Sequence, residues 1–353
     1  MATLTDYAQI SGRVYQRTQN NRMYRPDGFT ELQWLRDDPI TGFSAGVYKK
    51  GNEIVIGFTG TNESLIKDFL VANIPAGAGL GTPQIAQAAK LVLKVMAENP
   101  GRTISFTGHS LGGGLASVMS VLFNKDASIF DPAPFEPSVR NPSTLSSLQA
   151  TLALTGYSDS DLEAYFLSAG LLFSSREAKV SSWYVDGEVL VPLRTVGGSI
   201  VGDGQETKLT VGGQTAGGVS LHSITLLHAL LLSPSFKEAI STKSNAVEQF
   251  FDNAFYAKDP QVSNTPDFLT KLLRQHVGDP AAGIQSNNVL DRFAEDLNRI
   301  GSSGTTANPN WQKALTAAAM DYYYNKEATN ATQFFKLESG AIHFDLKDIN
   351  ATT

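Results

Sequence analysis

A serine flanked by glycines lies where a short β-rich run meets the start of a helical pattern. The run Thr103 to Thr107 leads into Gly108-His109-Ser110-Leu111-Gly112, and small residues continue from there. A Gly-x-Ser-x-Gly turn between a strand and a helix is typical of a nucleophile elbow, which projects the serine hydroxyl from the end of a sheet. The free amides and the positive dipole end of the helix then face any negative charge that forms there. Ser110 is therefore the candidate nucleophile.

A serine hydroxyl needs a base to remove its proton, and the usual base is a histidine held by a carboxylate. The chain has five histidines. His222 lies at a loop-to-helix junction after a glycine-rich stretch, from which a side chain can reach the carboxyl edge of a sheet. We expect scaffold, core or surface roles for the others, which are His109, His228, His276 and His343. His222 is therefore the predicted base.

The acid of such a triad should follow a strand and precede the histidine in the chain. Asp186 comes directly after the β-rich run Trp183-Tyr184-Val185 and fits this requirement best. Asp131 also follows a short β-rich run and is the serious rival, while Asp203 is a weaker one. Each of the three precedes a glycine or a proline, so an ordinary turn is the alternative interpretation. The pattern favours Asp186 and leaves Asp131 open.

Attack on an ester also requires hydrogen-bond donors for the oxyanion that develops on the carbonyl oxygen. The backbone amide of Leu111, directly after the serine, is one candidate. A second donor normally comes from a loop after an earlier strand, and Thr59-Gly60-Thr61 follows the apolar run Ile54 to Phe58. Thr61 also offers a hydroxyl, although the same residues would serve as an ordinary helix N-cap.

The elements that must position these residues alternate along the first half of the chain. Two β-rich runs, Phe43 to Tyr48 and Glu53 to Thr59, are joined by a turn-forming tetrapeptide and predict a hairpin. Helical and β-rich patterns then follow one another up to Val185, which predicts βαβ units and a mostly parallel sheet. We expect a polar, irregular stretch before Asp38 and an extended segment from Val189 to Leu193.

A helical insertion and a helical extension interrupt this alternation. Residues 141–179 show helical spacing without a strand and predict a cap, and the chain beyond residue 235 is mostly helical. We expect a core over residues 1–235 that contains the cap, followed by a C-terminal helical extension over residues 236–353 that packs on it. The length of 353 residues suits this division.

Composition excludes several classes of function. The net charge of −6 and the lack of a Lys/Arg cluster argue against nucleic-acid binding. The absence of cysteine excludes disulfides, thiolate metal sites and a cysteine nucleophile, and we expect neither a metal nor an organic cofactor. No signal peptide is visible, and no run reaches the ~18 apolar residues of a spanning helix. We therefore expect a soluble protein, either cytoplasmic or exported without a signal peptide.

The segments around these candidates resemble class 3 lipases, the fungal-type triacylglycerol lipases and their bacterial relatives. Phe58-Thr59-Gly60-Thr61, followed by Lys67-Asp68-Phe69-Leu70, is similar to their Phe-Arg-Gly-Thr/Ser…Asp-Trp…Asp-Leu stretch. Gly108-His109-Ser110-Leu111-Gly112-Gly113 matches their elbow. Asp186-Gly187-Glu188-Val189 and His222-Ser223 are similar to their Asp-x-Val stretch and late histidine. Thr59 replaces the family's arginine and Phe69 its tryptophan, and residues 235–353 have no counterpart in the pattern.

The resemblance implies an α/β-hydrolase fold with a mostly parallel central sheet, and hydrolysis of lipid esters by a lipase or a phospholipase A. It implies that Ser110, Asp186 and His222 form a catalytic triad that works through an acyl-enzyme intermediate. It also implies an oxyanion hole made by Thr61 and Leu111.

The resemblance further implies an amphipathic lid over residues 64–72, hinged at residues 77–81, and transient contact with a membrane or lipid interface. An ordinary surface helix is the alternative for this segment. The same triad would also serve a polyester hydrolase, a thioesterase or a lipid acyltransferase. A non-catalytic interaction or toxin module that keeps the elbow for structure alone is a further alternative.

Overall fold

The computed structural model describes most of the chain, with gaps. The described residues are 1–15, 22–36, 38–60, 82–154, 156–157, 162–163, 165–166, 169, 171–212, 218–241, 246–251, 266–302, 309–325, 334–338 and 341–344. The chain divides into two compact units. The first comprises Met1–Tyr15 and Gly28–Lys208, and the second comprises Gln16–Asp27 and Leu209–Thr353.

The first unit is built on a seven-stranded sheet whose strands lie side by side in chain order. The strands are β1 (Thr30–Leu35), β2 (Ala45–Lys50), β3 (Glu53–Phe58), β4 (Thr103–His109), β5 (Asp126–Phe130), β6 (Val180–Val185) and β7 (Glu206–Leu209). β1, β2 and β3 pair antiparallel, while β3, β4, β5 and β6 pair parallel. The predicted hairpin and the mostly parallel sheet are confirmed.

Helices cover this sheet because its central strands are apolar on both faces. The helices of the first unit are α1 (Leu4–Tyr15), α2 (Thr82–Glu98), α3 (Leu111–Phe123), α4 (Glu136–Arg140), α5 (Pro142–Ala153), α6 (Phe173–Glu177) and α7 (Val191–Gly197). Every residue of β3 is buried. Val55 packs in a cluster with Ile10 of α1, whereas Ile54 and Ile56 join the larger cluster with α2 and α3. This two-sided burial is the arrangement that parallel strands require.

Two segments depart from the predicted pattern. The polar stretch before Asp38 contains β1, a partly exposed strand with a register shift between Glu31 and Gln33. The sequence of β1 has little strand character of its own, and the strand is stabilised by its pairing with β2. Strand formation depends strongly on such tertiary context. Val189 to Leu193 is not extended: α7 begins at Val191, because Pro192 in its first turn is already set for helical geometry.

A buried arginine caps the helix that begins at the elbow. Arg176 of α6 donates from Nη1 to the carbonyl oxygens of Val121 and Leu122, at 2.7 and 3.0 Å. A third carbonyl, that of Tyr165, lies at 3.4 Å. Burial lowers the pKa of this guanidinium. The last carbonyls of α3 lack partners within the helix, so the arginine from the insertion fills that need.

The second unit is a helical bundle with a small hairpin. Its elements are α8 (Gly218–Leu221), α9 (Ile224–Leu232), α10 (Pro234–Ser241), α11 (Ala246–Phe250), α12 (Phe268–Val277), α13 (Val289–Ser302), α14 (Pro309–Asn325), β8 (Phe335–Glu338) and β9 (Ala341–Phe344). Phe250, Phe268 and Phe293 form its aromatic centre, with ring centroids 5.1–5.8 Å apart. α9 packs on α10 and α12, and so belongs to the second unit. The boundary between the two units therefore lies near residue 208, whereas the sequence pattern placed the domain boundary after residue 235.

We predict that Arg176→Met lowers the free energy of unfolding by about 2–4 kcal/mol, because methionine fills much of the space but supplies no donor to the buried carbonyls. Urea denaturation measures the effect. The control is Lys94→Met, which removes an exposed pair with Glu98 and should change stability by less than about 1 kcal/mol. Equal effects of the two substitutions would contradict the capping role.

Candidate active site

The backbone of Ser110 is strained. β4 ends at His109 and α3 begins at Leu111, and between them Ser110 adopts φ 57° and ψ −127°. A left-handed φ at a residue other than glycine costs about 1–3 kcal/mol and persists only where the surroundings impose it. Here the Ser110 N–H donates to the Phe130 carbonyl at 3.0 Å, and the Ser110 carbonyl accepts from the Ala133 amide at 2.9 Å. The elbow is therefore bonded on both sides to the end of β5.

Glycines make this close approach of backbones feasible. A Cβ atom on Gly108 would collide with the backbone of Gly112, and one on Gly112 would collide with the carbonyl oxygen of Phe58. At Gly113 a Cβ would lie 3.1 Å from the Gly108 carbonyl oxygen, which is tight but nearer to an ordinary contact. α3 can thus begin against the end of β3 only when position 112 carries no side chain.

The two predicted oxyanion donors differ in what the structure shows of them. Leu111 is the first residue of α3, and the first amides of a helix have no acceptor within it. Its N–H is therefore available next to the serine. Thr61 lies outside the described residues, as do the predicted lid and hinge over residues 64–72 and 77–81.

The turn before Thr61 is packed into the first unit. The Thr59 hydroxyl donates to the Val14 carbonyl at 3.1 Å, and the Thr59 amide donates to the Ser44 carbonyl at 3.0 Å. A Cβ on Gly60 would collide with the Tyr15 hydroxyl. Thr59 occupies the position at which class 3 lipases have an arginine, and its hydroxyl makes a buried hydrogen bond to the backbone of α1.

His109 connects Tyr15 of α1 with Asp131. The Tyr15 hydroxyl donates to the His109 carbonyl at 3.0 Å, and His109 Nδ1 lies 3.2 Å from the same hydroxyl oxygen. Since the single phenolic hydrogen is directed to the carbonyl, we assign the Nδ1–H as the donor to Tyr15. The opposite nitrogen, Nε2, lies 3.5 Å from Asp131 Oδ2. The scaffold role expected for His109 did not include this contact, because nothing in the motif indicates where Tyr15 lies.

Asp131 is the carboxylate beside the elbow. It is fully buried, with φ 41°, and follows β5, the strand that pairs with the elbow strand β4. Its Oδ1 accepts from the Val185 amide at 2.9 Å, and its own N–H donates to the Trp183 carbonyl at 2.8 Å. Asp131 is thus held from the β6 side, while its neighbours Phe130 and Ala133 bind the backbone of Ser110.

The other two candidate acids have different surroundings. Asp186 follows β6, one strand further from the elbow, and its half-buried carboxylate lies 3.2 Å from Lys208 Nζ. Asp203 is exposed in a turn. Among the three, only Asp131 combines full burial with a position next to β4.

The histidines His222, His228 and His276 belong to the second unit. His222 is buried directly after α8, where its amide donates to the Gly218 carbonyl at 3.1 Å. Ser223 then caps α9 by accepting from the Leu226 amide. His228 is fully buried on α9, and burial, with a smaller contribution from His276, lowers its pKa to about 3. His228 is therefore a neutral core residue, whereas His222 occupies the predicted junction before a helix.

A serine on a strained turn between a buried parallel strand and a helix, at the carboxyl edge of a mostly parallel sheet, defines the α/β-hydrolase class. The chain belongs to the family of Tle-like phospholipase domains, whose family model matches residues 6–230.

Individual relatives are more distant. The extracellular phospholipase A1 of Serratia liquefaciens is 33% identical over 96 residues, covering 27% of this chain and 29% of the relative. The chain thus aligns with less than a third of that relative's length. The Lip2 lipase structure from Yarrowia lipolytica is 16% identical, covers 58% of this chain and 77% of its own, and has a TM-score of 0.37. A Rhizomucor miehei lipase propeptide complex is 15% identical, covers 55% of this chain and 64% of its own, and has a TM-score of 0.34. These TM-scores are too low for residues of the site to be compared between the structures.

In the part of the chain that the structure describes, no helix combines the length and apolar character needed to cross a membrane.

We predict that Gly112→Ala lowers the free energy of unfolding by more than about 3 kcal/mol, because the new methyl group displaces the carbonyl at the end of β3. The matched control is Gly113→Ala, one residue along the same helix, for which we expect a loss of about 1 kcal/mol. Chemical denaturation of both variants measures the difference. Similar stabilities would show that the elbow does not depend on contact between α3 and β3 at position 112.

We also predict that His228 weakens the fold in acid. The folded-state pKa of about 3 lies below the ordinary value of 6.5, so only the unfolded chain takes up a proton between these pH values. Stability therefore falls as the pH drops below 6.5, by roughly 2–3 kcal/mol at pH 4.5. His228→Leu should remove this part of the loss, measured as the change in unfolding free energy between pH 7 and 4.5. An equal loss in both proteins would contradict the assignment.

Proposed function

We propose that this protein is a serine phospholipase that hydrolyses a carboxylic ester bond of glycerophospholipids. The observation that carries the proposal is the strained Ser110 elbow in a chain that belongs to a family of phospholipase domains. The name of the Serratia relative, a phospholipase A1, supports an acyl ester as the bond that is cleaved. The substrate would be presented at a lipid interface, with which the protein makes transient contact.

In the proposed reaction, Ser110 Oγ attacks the acyl carbonyl carbon while His222 takes the hydroxyl proton. The tetrahedral intermediate collapses when His222 returns that proton to the leaving lysophospholipid oxygen, which leaves the acyl group on Ser110. Water then attacks the acyl carbon while His222 takes its proton, and His222 returns that proton to Ser110 Oγ as the fatty acid leaves. The amide of Leu111 and the N-terminus of α3 stabilise the oxyanion, with Thr61 as the second donor. These steps require neither a metal nor an organic cofactor.

We propose Asp131 as the triad acid, ahead of Asp186, which the sequence pattern favoured. The burial of Asp131 supports this order, because a carboxylate in a low-dielectric site interacts strongly with an imidazolium. Its place after β5 supports it as well, because Phe130 and Ala133 on either side of it bind the backbone of Ser110. Asp186 is instead partly exposed and lies beside Lys208, in a surface pair that leaves its carboxylate in contact with solvent.

The nucleophile is tested with phospholipid vesicles by measuring the release of fatty acid. We expect Ser110→Ala to lower kcat/KM at least about a thousandfold, because the residual binding interactions cannot replace the covalent step. Thermal unfolding of the variant should match that of the wild type. Unchanged hydrolysis would contradict the proposal and favour a module that keeps the elbow for structure alone.

The bond specificity is tested with a substrate panel. Phospholipid vesicles, triglyceride emulsions, a polyester film and an acyl thioester are compared, each with and without an alcohol acceptor. We expect the highest kcat/KM on phospholipid, with lysophospholipid and free fatty acid as products. Preferential transfer to the alcohol, or preferential cleavage of another ester, would replace the proposed substrate with one of the alternative acyl chemistries.

The choice of acid is tested by a matched pair of substitutions. We predict that Asp131→Asn lowers kcat at least about a hundredfold, because a neutral amide no longer supports the imidazolium of His222. Asp186→Asn should change kcat less than about fivefold, since this side chain is partly exposed and lies beside Lys208. The opposite ranking would restore Asp186 as the acid without affecting the assignment of Ser110.

A further inference from the structure

Glu188 and Arg194 form a buried ion pair in the first unit. Arg194 Nη2 lies 2.6 Å from Glu188 Oε1, and the side chains are 6% and 0% exposed. Glu188 follows β6 and Arg194 lies on α7, so the pair spans the turn between these elements. The desolvation of two charges offsets most of their attraction, so a buried ion pair adds little net stability compared with apolar residues of the same size.

The pair binds the backbone beside both candidate acids. Arg194 Nη1 donates to the Pro132 carbonyl at 3.1 Å, directly after Asp131. Glu188 Oε2 accepts from the Leu190 amide at 2.8 Å, and the guanidinium of Arg194 lies over the Tyr184 ring, 4.8 Å from its centroid. The loop after β5 is thereby attached to the end of β6 through one planar group whose donors have fixed directions.

This attachment bears directly on Asp131. Its backbone has φ 41°, in the left-handed region that is uncommon for residues other than glycine, although aspartate tolerates it better than most. The Val185 amide holds its carboxylate, and the Pro132 carbonyl held by Arg194 fixes the peptide that follows it. We propose that Glu188 and Arg194 are positioning residues, which hold the loop after β5 so that Asp131 keeps its catalytic orientation. This inference rests on the proposed function, in which Asp131 is the triad acid.

The test removes both charges together, because a single substitution would leave an unpaired buried charge and strongly destabilise the protein for that reason alone. In the double variant Glu188→Leu/Arg194→Met, apolar side chains of similar size fill the space of the ion pair. We expect the double variant to stay folded with a lower unfolding midpoint, because the Pro132 carbonyl and the Leu190 amide lose their side-chain partners. Its kcat on phospholipid vesicles should fall at least about tenfold, and its KM should change less than about threefold. A normal kcat in the folded double variant would overturn the proposal.

A matched control and a conservative variant separate positioning from bulk stability. Arg13→Met/Glu31→Leu removes an ion pair of the same unit, between α1 and β1, and should leave kcat unchanged. Arg194→Lys keeps the charge and one donor, and should retain more of the wild-type kcat than the double variant does. A tenfold loss in the Arg13 and Glu31 control, or no rescue by lysine, would count against positioning.

A double-mutant cycle shows whether the pair acts through Asp131. In an Asp131→Asn background, Glu188→Leu/Arg194→Met should cause no further loss of kcat, whereas independent effects would multiply. Multiplied losses would overturn the inference and leave the triad intact. Full activity of Asp131→Asn alone would instead reject Asp131 as the acid. That result would contradict the proposed function, and the single variant distinguishes it from a failure of the positioning role.

Discussion

The conformation of Ser110 depends on two backbone hydrogen bonds to the end of β5. The serine amide binds the Phe130 carbonyl, and the serine carbonyl binds the Ala133 amide. These bonds hold a left-handed backbone at a residue that has a side chain, which would otherwise relax toward helical or extended geometry. The same segment, residues 130–133, carries Asp131. The strain at the candidate nucleophile and the placement of the buried acid therefore share one set of contacts.

Polar groups buried around this segment act on orientation more than on stability. His109 faces Asp131 on one side, and the Val185 amide binds it on another. The ion pair between Glu188 and Arg194 holds the next peptide. Each buried group must have partners, because an unsatisfied one costs about 1–3 kcal/mol. A network of this kind allows few alternative arrangements, and a carboxylate that must orient an imidazole requires such restriction.

The local pattern was sufficient for the elements whose signals are local. The hairpin, the βαβ order and the elbow follow from apolar runs, glycines and turn residues, and the structure has them at nearly the expected bounds. β1 and α7 were not predicted, because the first depends on pairing with β2 and the second begins at a proline that also suits a turn. The ranking of Asp131 and Asp186 depends on burial and on partners distant in sequence. Asp131-Pro132 and Asp186-Gly187 both indicate a turn after a strand, so this signal alone does not rank the two acids.

The topology itself gives a reason to prefer the earlier acid. Neighbouring strands of a sheet lie about 4.8 Å apart, so a carboxylate after β5 is displaced from the elbow by one strand and a carboxylate after β6 by two. In the parallel register, His109 pairs with Phe130 and Phe130 pairs with Trp183, so Ser110 and Asp131 are level at the carboxyl edge while Asp186 lies beyond the Trp183 position. Burial and this level position beside Ser110 are therefore the grounds on which we propose Asp131, the residue after β5, as the acid.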